Sequence, residues 1–435
     1  MFTDKLTQWI PWLLLPELAW RRRKGPASIR AFQDRRLRQL VEHAYARVPY
    51  YRERRDKLGL PPGAFKGLED LDKIPVGRKA DITEQEHRAL LADSYSRQRL
   101  ILHCTSGTSG RPLRIYRSWH EERMLQLLRL KAYLSYGWTP LKKTAKVSMP
   151  SSQAPNLPHR ILSRFGLFRV RSFSCFDPPE KLIHDIAEYR PDILGGYPES
   201  LAALARTYVQ SEWPAISPRY VNCGGGMLTQ LARGQLHKAF PSVPVQDVYG
   251  STEFNLVAWQ CPDTSYYHVC EEGMVLEVLD QDGRPAPIGQ RGQLVGTALH
   301  SFAMPILRMP LGDMVVPGPE SCPCGAGFTT LQEINGRTSE LFTLSGGRTI
   351  HPFLVLEPLD SLQADWLHRY RLVQIAPDHL VVELVAQPIP DNRQVALLVE
   401  SISAPLPADI RVEIRFVEQM PQEESGKFRL SVPLA

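Results

Sequence analysis

From about residue 168 the chain alternates between two hydrophobic periods. Segments 168–173, 193–197, 219–223 and 243–248 read as short apolar strands, and 178–189, 199–210 and 229–240 between them as amphipathic helices. Strands separated by a helix are joined by crossovers, so neighbouring strands run parallel. This predicts an α/β protein built on a mainly parallel sheet. Ligands of such sheets sit beyond the carboxyl ends of the strands. Two small-residue turns fall at such ends: Gly224, Gly225 and Gly226 after the third strand, and Tyr249, Gly250, Ser251, Thr252 and Glu253 after the fourth.

The flanks differ in character. Residues 28–58 carry apolar positions at helical spacing, interrupted at Val48-Pro49. Residues 61–95 read as loop with short helices. A helix over about 119–136 opens with Ser118 and Glu121 spaced as a capping box. Before it, six of the ten residues in 103–112 are Thr, Ser or Gly. Small side chains let a backbone approach a ligand, and free N–H groups and hydroxyls form a nest for phosphate. Extended flanks at 99–102 and 113–116 make this a loop between two strands, unlike the strand-to-helix P-loop; a flexible polar linker is the plainer alternative. Residues 270–335 read as short strands with turns, a small antiparallel barrel or sheet. After about 338 a hairpin around Pro377-Asp378, a helix over 392–402 and a strand over 410–416 make an α+β module of about 100 residues. At 435 residues the chain has room for two domains, divided here as 1–338 and 339–435.

A net charge of +6 suits an anionic substrate such as ATP, and is too small and scattered to argue for nucleic acid. Seven cysteines, an odd number with no secretory signal, point to a reducing, cytoplasmic setting. Cys322 and Cys324 form a tight pair, and Cys261 and His268 lie about sixty residues earlier. Two short pairs far apart suit a closed, tetrahedral Cys3His zinc site of structural type. Cys270 is an alternative to His268, and unrelated buried thiols are the alternative to a metal. Cys104, Cys175 and Cys223 read as structural. The apolar run Trp9 to Leu15, followed by Arg21-Arg22-Arg23-Lys24, is too short to span a membrane and has its charge on the wrong side for a signal peptide. It suits peripheral contact with an anionic membrane, or a terminal helix packed on the body.

Five features stand in a fixed order: the loop from Thr105 to Arg111, the turn from Tyr249 to Glu253, Leu311-Gly312-Asp313, Asn335-Gly336-Arg337-Thr338-Ser339-Glu340, and Glu424-Ser425-Gly426-Lys427. Each alone is weak. Together they resemble the adenylate-forming acyl-CoA synthetase superfamily, and more narrowly its phenylacetate–CoA ligase branch, with relatives from capsular polysaccharide and coenzyme F390 pathways. The early segment from His43 to Arg52 resembles the opening of that branch.

The resemblance implies a large N-terminal adenylating domain and a small mobile α+β C-terminal domain. It implies that a carboxylate attacks the α-phosphate of ATP to give an acyl-adenylate and pyrophosphate, after which the acyl group passes to CoA. Such chemistry rests on positioning and positive electrostatics. By the same resemblance, Thr105, Ser106, Gly107, Thr108, Ser109, Gly110 and Arg111 hold the β- and γ-phosphates. Tyr249 stacks on adenine, beside Gly250 and Ser251, and Gly224, Gly225 and Gly226 allow backbone to approach the base. Thr252 contacts the α-phosphate and Glu253 holds Mg²⁺. Asp313 accepts both ribose hydroxyls, Arg337 adds a second ribose contact, and Lys427 reaches the forming acyl-phosphate oxygen. The branch also carries a zinc site of the Cys261, His268, Cys322, Cys324 type. Two departures stand out: Ser339 occupies the hinge position where Asp or Lys is common, and Arg308-Met309-Pro310-Leu311-Gly312-Asp313 alters the usual approach to the Asp.

The acid is less legible. Positions 195–199 and 224–227 face the carboxylate pocket by their place in the chain, with Trp138 or Phe254 beside them, and the relatives favour aryl or arylacetic acids. The acceptor is CoA, or an amine or carrier protein; a catalytically silent nucleotide-binding protein is the reading from another class. The relatives are often dimers.

Overall fold

The computed structural model describes residues 25–59, 61, 63–104, 113–150, 157–337, 342–362, 364–423 and 425–434. Two compact units are present, each assembled from two stretches: Met1–Gly137 with Val248–Asn335, and Trp138–Asp247 with Gly336–Ala435.

In the first unit, the helix Pro26–Arg47 buries Ile29, Phe32, Leu37, Leu40, Val41 and Ala44. Val48 is extended, at φ −112°, because the ring of Pro49 disfavours the helical region for the residue before it. Pro49 then opens a second helix, Pro49–Lys57, where its missing N–H costs nothing. The interruption expected at Val48-Pro49 thus divides the stretch into two helices. Strands Ile101–Cys104 and Arg114–Arg117 form an antiparallel hairpin with Cys104 opposite Arg114. The helix Trp119–Ser135 follows, with Ser118 and Glu121 making the expected capping box. Strands Met274–Leu279, Gly292–Ala298 and Met309–Pro317 form an antiparallel meander. Strand Tyr267–Val269 pairs with Ala258–Gln260 on one side and with Thr330–Arg337 on the other.

The second unit holds the parallel part. Its strands run in the order Val170–Ser174, Thr144–Ser148, Ile193–Gly196, Tyr220–Gly224, all parallel. The strand at 144–148 has no expectation in the sequence reading, because Lys146 breaks its apolar run. Helices Pro179–Tyr189, Pro198–Gln210 and Gln230–Ala239 cover the sheet. Ile183, Ile186, Leu194, Leu201, Val221 and Leu236 fill the space between, all fully buried. Thr229 caps the third helix by accepting from the Ala232 amide at 3.1 Å.

The C-terminal stretch of this unit is a four-stranded sheet in the order Arg411–Phe416, His379–Ala386, Leu367–Ala376, Ser431–Val432. The middle pair is the expected hairpin. Helices Pro352–Ser361 and Asn392–Ser403 pack on it around Phe342, Val355, Leu359, Leu372 and Ile402. Leu231 joins this core, and the Asp360 carboxylate accepts from the Leu231 amide at 3.1 Å and the Tyr370 hydroxyl at 2.9 Å. The C-terminal module is therefore seated on the helix Gln230–Ala239. Among the described residues no helix is long and apolar enough to cross a membrane.

Candidate functional site

The Thr/Ser/Gly loop joins the two strands of a hairpin, as its extended flanks predict; residues 105–112 themselves lie outside the described residues. The strand leaving the loop carries Arg117, whose side chain is only 3% exposed. Arg117 donates to the backbone carbonyl of Thr252, and to that of Glu253 at 3.0 Å. Behind it, Glu122 lies 3.4 Å from Arg117 Nη1 and 3.0 Å from His103 Nε2. Burial opposes ionisation of Glu122, but the hydrogen bond and charge of His103, with Arg117, win and bring its pKa down to about 2. Burial lowers the Arg117 pKa, and Glu122 counteracts this. A buried cation tied to a buried anion thus fixes the backbone of the Thr252-Glu253 turn to the hairpin that carries the loop.

The turn is compact. The Val257 amide donates to the Tyr249 carbonyl at 3.0 Å, and the Asn255 amide to the Ser251 carbonyl at 2.8 Å. The Asn255 carbonyl closes so tightly on Gly250 that a side chain there would collide with it. Glu253 is buried, and Lys79 Nζ lies 3.2 Å from its carboxylate. Asp313 approaches from another strand. Between Gln293 and Val295 the register of that strand pair shifts by a bulge, and Gly312 within it takes φ +85°. The bulge lifts Asp313 out of the ladder, and the Tyr249 hydroxyl donates to its carboxylate. Arg308, ahead of it, is occupied elsewhere: it grips Glu277 with two hydrogen bonds of 2.9 and 2.8 Å.

The second unit holds the other predicted residues. Gly224 ends its strand, and Gly225 turns at φ +80° against the ring of Tyr197. Lys427 lies in a tight turn. The Glu423 amide donates to the Lys427 carbonyl at 3.0 Å, and the Gly426 amide to the Glu423 carbonyl at 2.8 Å. Gln422 Nε2 donates to the Gly426 carbonyl at 2.6 Å.

Cys261, His268, Cys322 and Cys324 converge in the first unit, with all four donor atoms within 4.8 Å of one another. Four ligands bonded at about 2.0–2.3 Å to a tetrahedral zinc stand about 3.3–3.8 Å apart, so the donor set fits one such ion. Cys324 Sγ is 3.5 Å from His268 Nε2. The Asp263 amide donates to Cys261 Sγ at 3.4 Å, as amides do to thiolates in closed sites. Phe328 stacks on the His268 ring at 4.1 Å, and Trp259 meets both rings edge-on. Cys270 is not in the group. Lys131 pairs with Glu272 and lies 5.8 Å over Phe328.

Of the predicted residues, Tyr249, Gly250, Ser251, Thr252, Glu253 and Asp313 are brought together in the first unit, and Gly224, Gly225 and Gly226 share the second with Lys427. Arg337 ends a strand, and its side chain is not described; Thr338, Ser339, Glu340, Glu424 and the N-terminal apolar and basic runs lie outside the described residues. Phe254 is 3% exposed and packs on Gly296. Trp138 packs on Phe168 at 5.8 Å. Sequence reasoning missed Arg117, Glu122 and Lys79. The first two had a signal, an Arg on the strand leaving the loop and a Glu in the first turn of the next helix.

Residues 161–298 match the family described as AMP-binding enzyme, and residues 343–432 match the CapK C-terminal domain. The phenylacetate–coenzyme A ligase of Thermus thermophilus is 29% identical over 346 residues, 73% of this chain and 72% of that protein. The corresponding ligase of Escherichia coli is 24% identical, covering 73% of each chain. Among solved structures, 2-hydroxyisobutyryl-CoA ligase in its postadenylation state, in complex with an acyl-AMP, aligns with a TM-score of 0.74 over 94% of this chain and 89% of that one, at 18% identity. The anthranilate CoA ligase AuaEII aligns with a TM-score of 0.57 over 77% of this chain and 67% of that one, at 18% identity.

Proposed function

We propose that the chain is an adenylate-forming enzyme of the phenylacetate–CoA ligase branch, which activates an aryl or arylacetic acid as its acyl-adenylate and passes the acyl group to CoA. The observation that carries the reading is the hydrogen bond from Tyr249 to Asp313, which joins two of the ordered motifs on one side of a turn whose other end is the buried Glu253.

In the first step a carboxylate oxygen of the acid bonds to the α-phosphorus of ATP, and the bond to the β-phosphate oxygen breaks to release pyrophosphate. The loop from Thr105 to Arg111 holds the leaving phosphates. Thr252 contacts the α-phosphate, and Arg117 keeps the turn that bears it in place. Glu253 fits a cation: its carboxylate is buried, and its partner Lys79 is half-exposed and able to withdraw. Held there, Mg²⁺ would neutralise charge on the phosphate oxygens. Asp313 accepts the ribose hydroxyls, and Lys427 stabilises the charge on the acyl-phosphate oxygen. In the second step the CoA sulfur bonds to the acyl carbon and AMP leaves. The division into an N-terminal domain, 1–338, and a C-terminal domain carrying Lys427, 339–435, is part of this proposal, and the separate family match of 343–432 supports it.

Zinc held by Cys261, His268, Cys322 and Cys324 completes the proposal. The four side chains would occupy all four coordination positions of the ion, so its role would be to tie the hairpin 258–269 to the 322–324 turn. An amine or a carrier protein in place of CoA is the second reading of the acceptor.

The test is pyrophosphate release from ATP and Mg²⁺ with phenylacetate, benzoate, anthranilate and 2-hydroxyisobutyrate. Hydroxylamine trapping then reports the adenylate, and exchanging CoA for an amine separates the two acceptors. Absence of acid-dependent pyrophosphate with every acid, together with absence of ATP binding by calorimetry, contradicts the proposal.

A further inference from the structure

One aromatic ring in the second unit touches two glycine turns at once. A methyl group on Gly225 would come within 2.9 Å of Tyr197 Cε1 and 3.2 Å of Cδ1. A methyl group on Gly426 would come within 3.4 Å of Cε2, on the other edge of that ring, and 3.6 Å of Phe176 Cζ, and would collide with Cys175 Sγ. Both glycines have positive φ, +80° and +71°. Each backbone is therefore pressed against the ring by a conformation that other residues rarely adopt. The ring itself is held. Tyr197 directly precedes the helix Pro198–Gln210, its amide donates to the Val147 carbonyl at 3.1 Å, and its hydroxyl is hydrogen-bonded by the Met149 backbone. Cys175 and Gly426 are both buried, so the contact excludes water.

We propose that Tyr197, with Cys175, is a positioning residue that seats the turn bearing Lys427 against the Gly224–Gly226 turn. This rests on the role given to Lys427 in acid activation. Gly426 precedes Lys427 directly, so the seat sets where the lysine backbone lies. The ring makes that placement depend on the turn at the end of the strand Tyr220–Gly224. Deleting the ring frees the 423–427 turn on one side only, and its internal hydrogen bonds leave it folded but unseated.

The test uses the full chain and two readouts. Amide hydrogen exchange of the peptide containing 423–427 reports the seat without substrate. Tyr197→Ala is expected to speed that exchange at least tenfold, and Tyr197→Phe, which keeps both ring edges, to restore the wild-type rate. Single-turnover assays then separate the half-reactions, with the acid that the wild type activates. Tyr197→Ala is expected to slow adenylate formation at least thirtyfold with the KM for ATP within threefold, and to slow thioester formation from supplied acyl-adenylate by a smaller factor. Cys175→Met adds bulk at the same seat without removing the ring, and is expected to give the same split should Tyr197→Ala fail to fold. Unchanged exchange, or an equal fall in both half-reactions, overturns the inference. A wild-type protein that activates no acid overturns the ligase reading instead, and the exchange result then decides the seat alone.

Discussion

The Tyr249 hydroxyl donates to the Asp313 carboxylate across 64 residues of sequence, and the bulge at Gly312 is what brings the carboxylate there. A tyrosine ring and an acceptor fixed to one another suit a base and its ribose, because the two must be read at a set separation. Asp313→Asn removes a charged acceptor, worth about 1.5–3 kcal/mol per hydrogen bond. The expected result is an ATP KM raised about 10- to 100-fold with an unchanged unfolding temperature, whereas Tyr249→Phe, which keeps the ring, raises it less than about tenfold. An ATP KM for Asp313→Asn equal to that of the wild type removes Asp313 from the nucleotide site.

Lys79 and Glu253 predict a metal response. The glutamate side chain is 6% exposed and the lysine 42%, so a cation from solution can replace the lysine. Lys79→Met leaves a buried carboxylate uncompensated, at a cost of about 1–3 kcal/mol. Thermal unfolding without Mg²⁺ should fall by a few degrees and recover at millimolar Mg²⁺. Glu253→Gln should abolish the recovery. Equal Mg²⁺ responses in wild type, Lys79→Met and Lys79→Met/Glu253→Gln would show that Glu253 is not the ion's ligand.

Glu122 gives the pH dependence its sign. Its folded pKa, about 2, lies below the unfolded value near 4.5. The stability it contributes is therefore present above pH ~4.5 and lost as pH falls toward 2, about 3 kcal/mol in all. Unfolding measured from pH 5 to pH 2 should be less steep for Glu122→Gln than for the wild type. Parallel curves would mean that the His103–Glu122–Arg117 chain does not stabilise the fold.

For the Cys3His group the expected metal content is about one zinc per chain, since a closed four-ligand site binds tightly. Cys324→Ser should lose the metal and lower the unfolding temperature by several degrees, while Cys270→Ser should keep it. Zinc retained in Cys324→Ser, or absent from the wild type purified without chelator, counts against the site.

Much of this was legible in the residues. The strand–helix alternation anticipated the parallel sheet because its inner strands, such as Ile193–Gly196 and Tyr220–Gly224, are largely buried and so read as short apolar runs. Two of the ordered motifs, those holding Tyr249 and Asp313, are brought together by the fold. The strand Thr144–Ser148 escaped because Lys146 interrupts it. The break at Val48 was visible as a proline but not as a clean division into two helices. Lys79 escaped for a different reason: it acts on a carboxylate more than a hundred residues away, and no local pattern marks a long-range partner. The acid stays unread because a pocket's shape is set by side chains from several elements, and composition carries no shape.

The central claim is that this chain makes an acyl-adenylate and that Lys427 serves that step. The direct measurement is acid-dependent pyrophosphate release by the wild type and by Lys427→Ala, with ATP binding followed by calorimetry. The account predicts release with at least one aryl or arylacetic acid, a loss of about a hundredfold or more in Lys427→Ala, and ATP affinity within about threefold of wild type. A wild type that releases pyrophosphate while Lys427→Ala does so at the same rate contradicts the role of Lys427. A wild type that binds no ATP and releases no pyrophosphate with any acid contradicts the account as a whole.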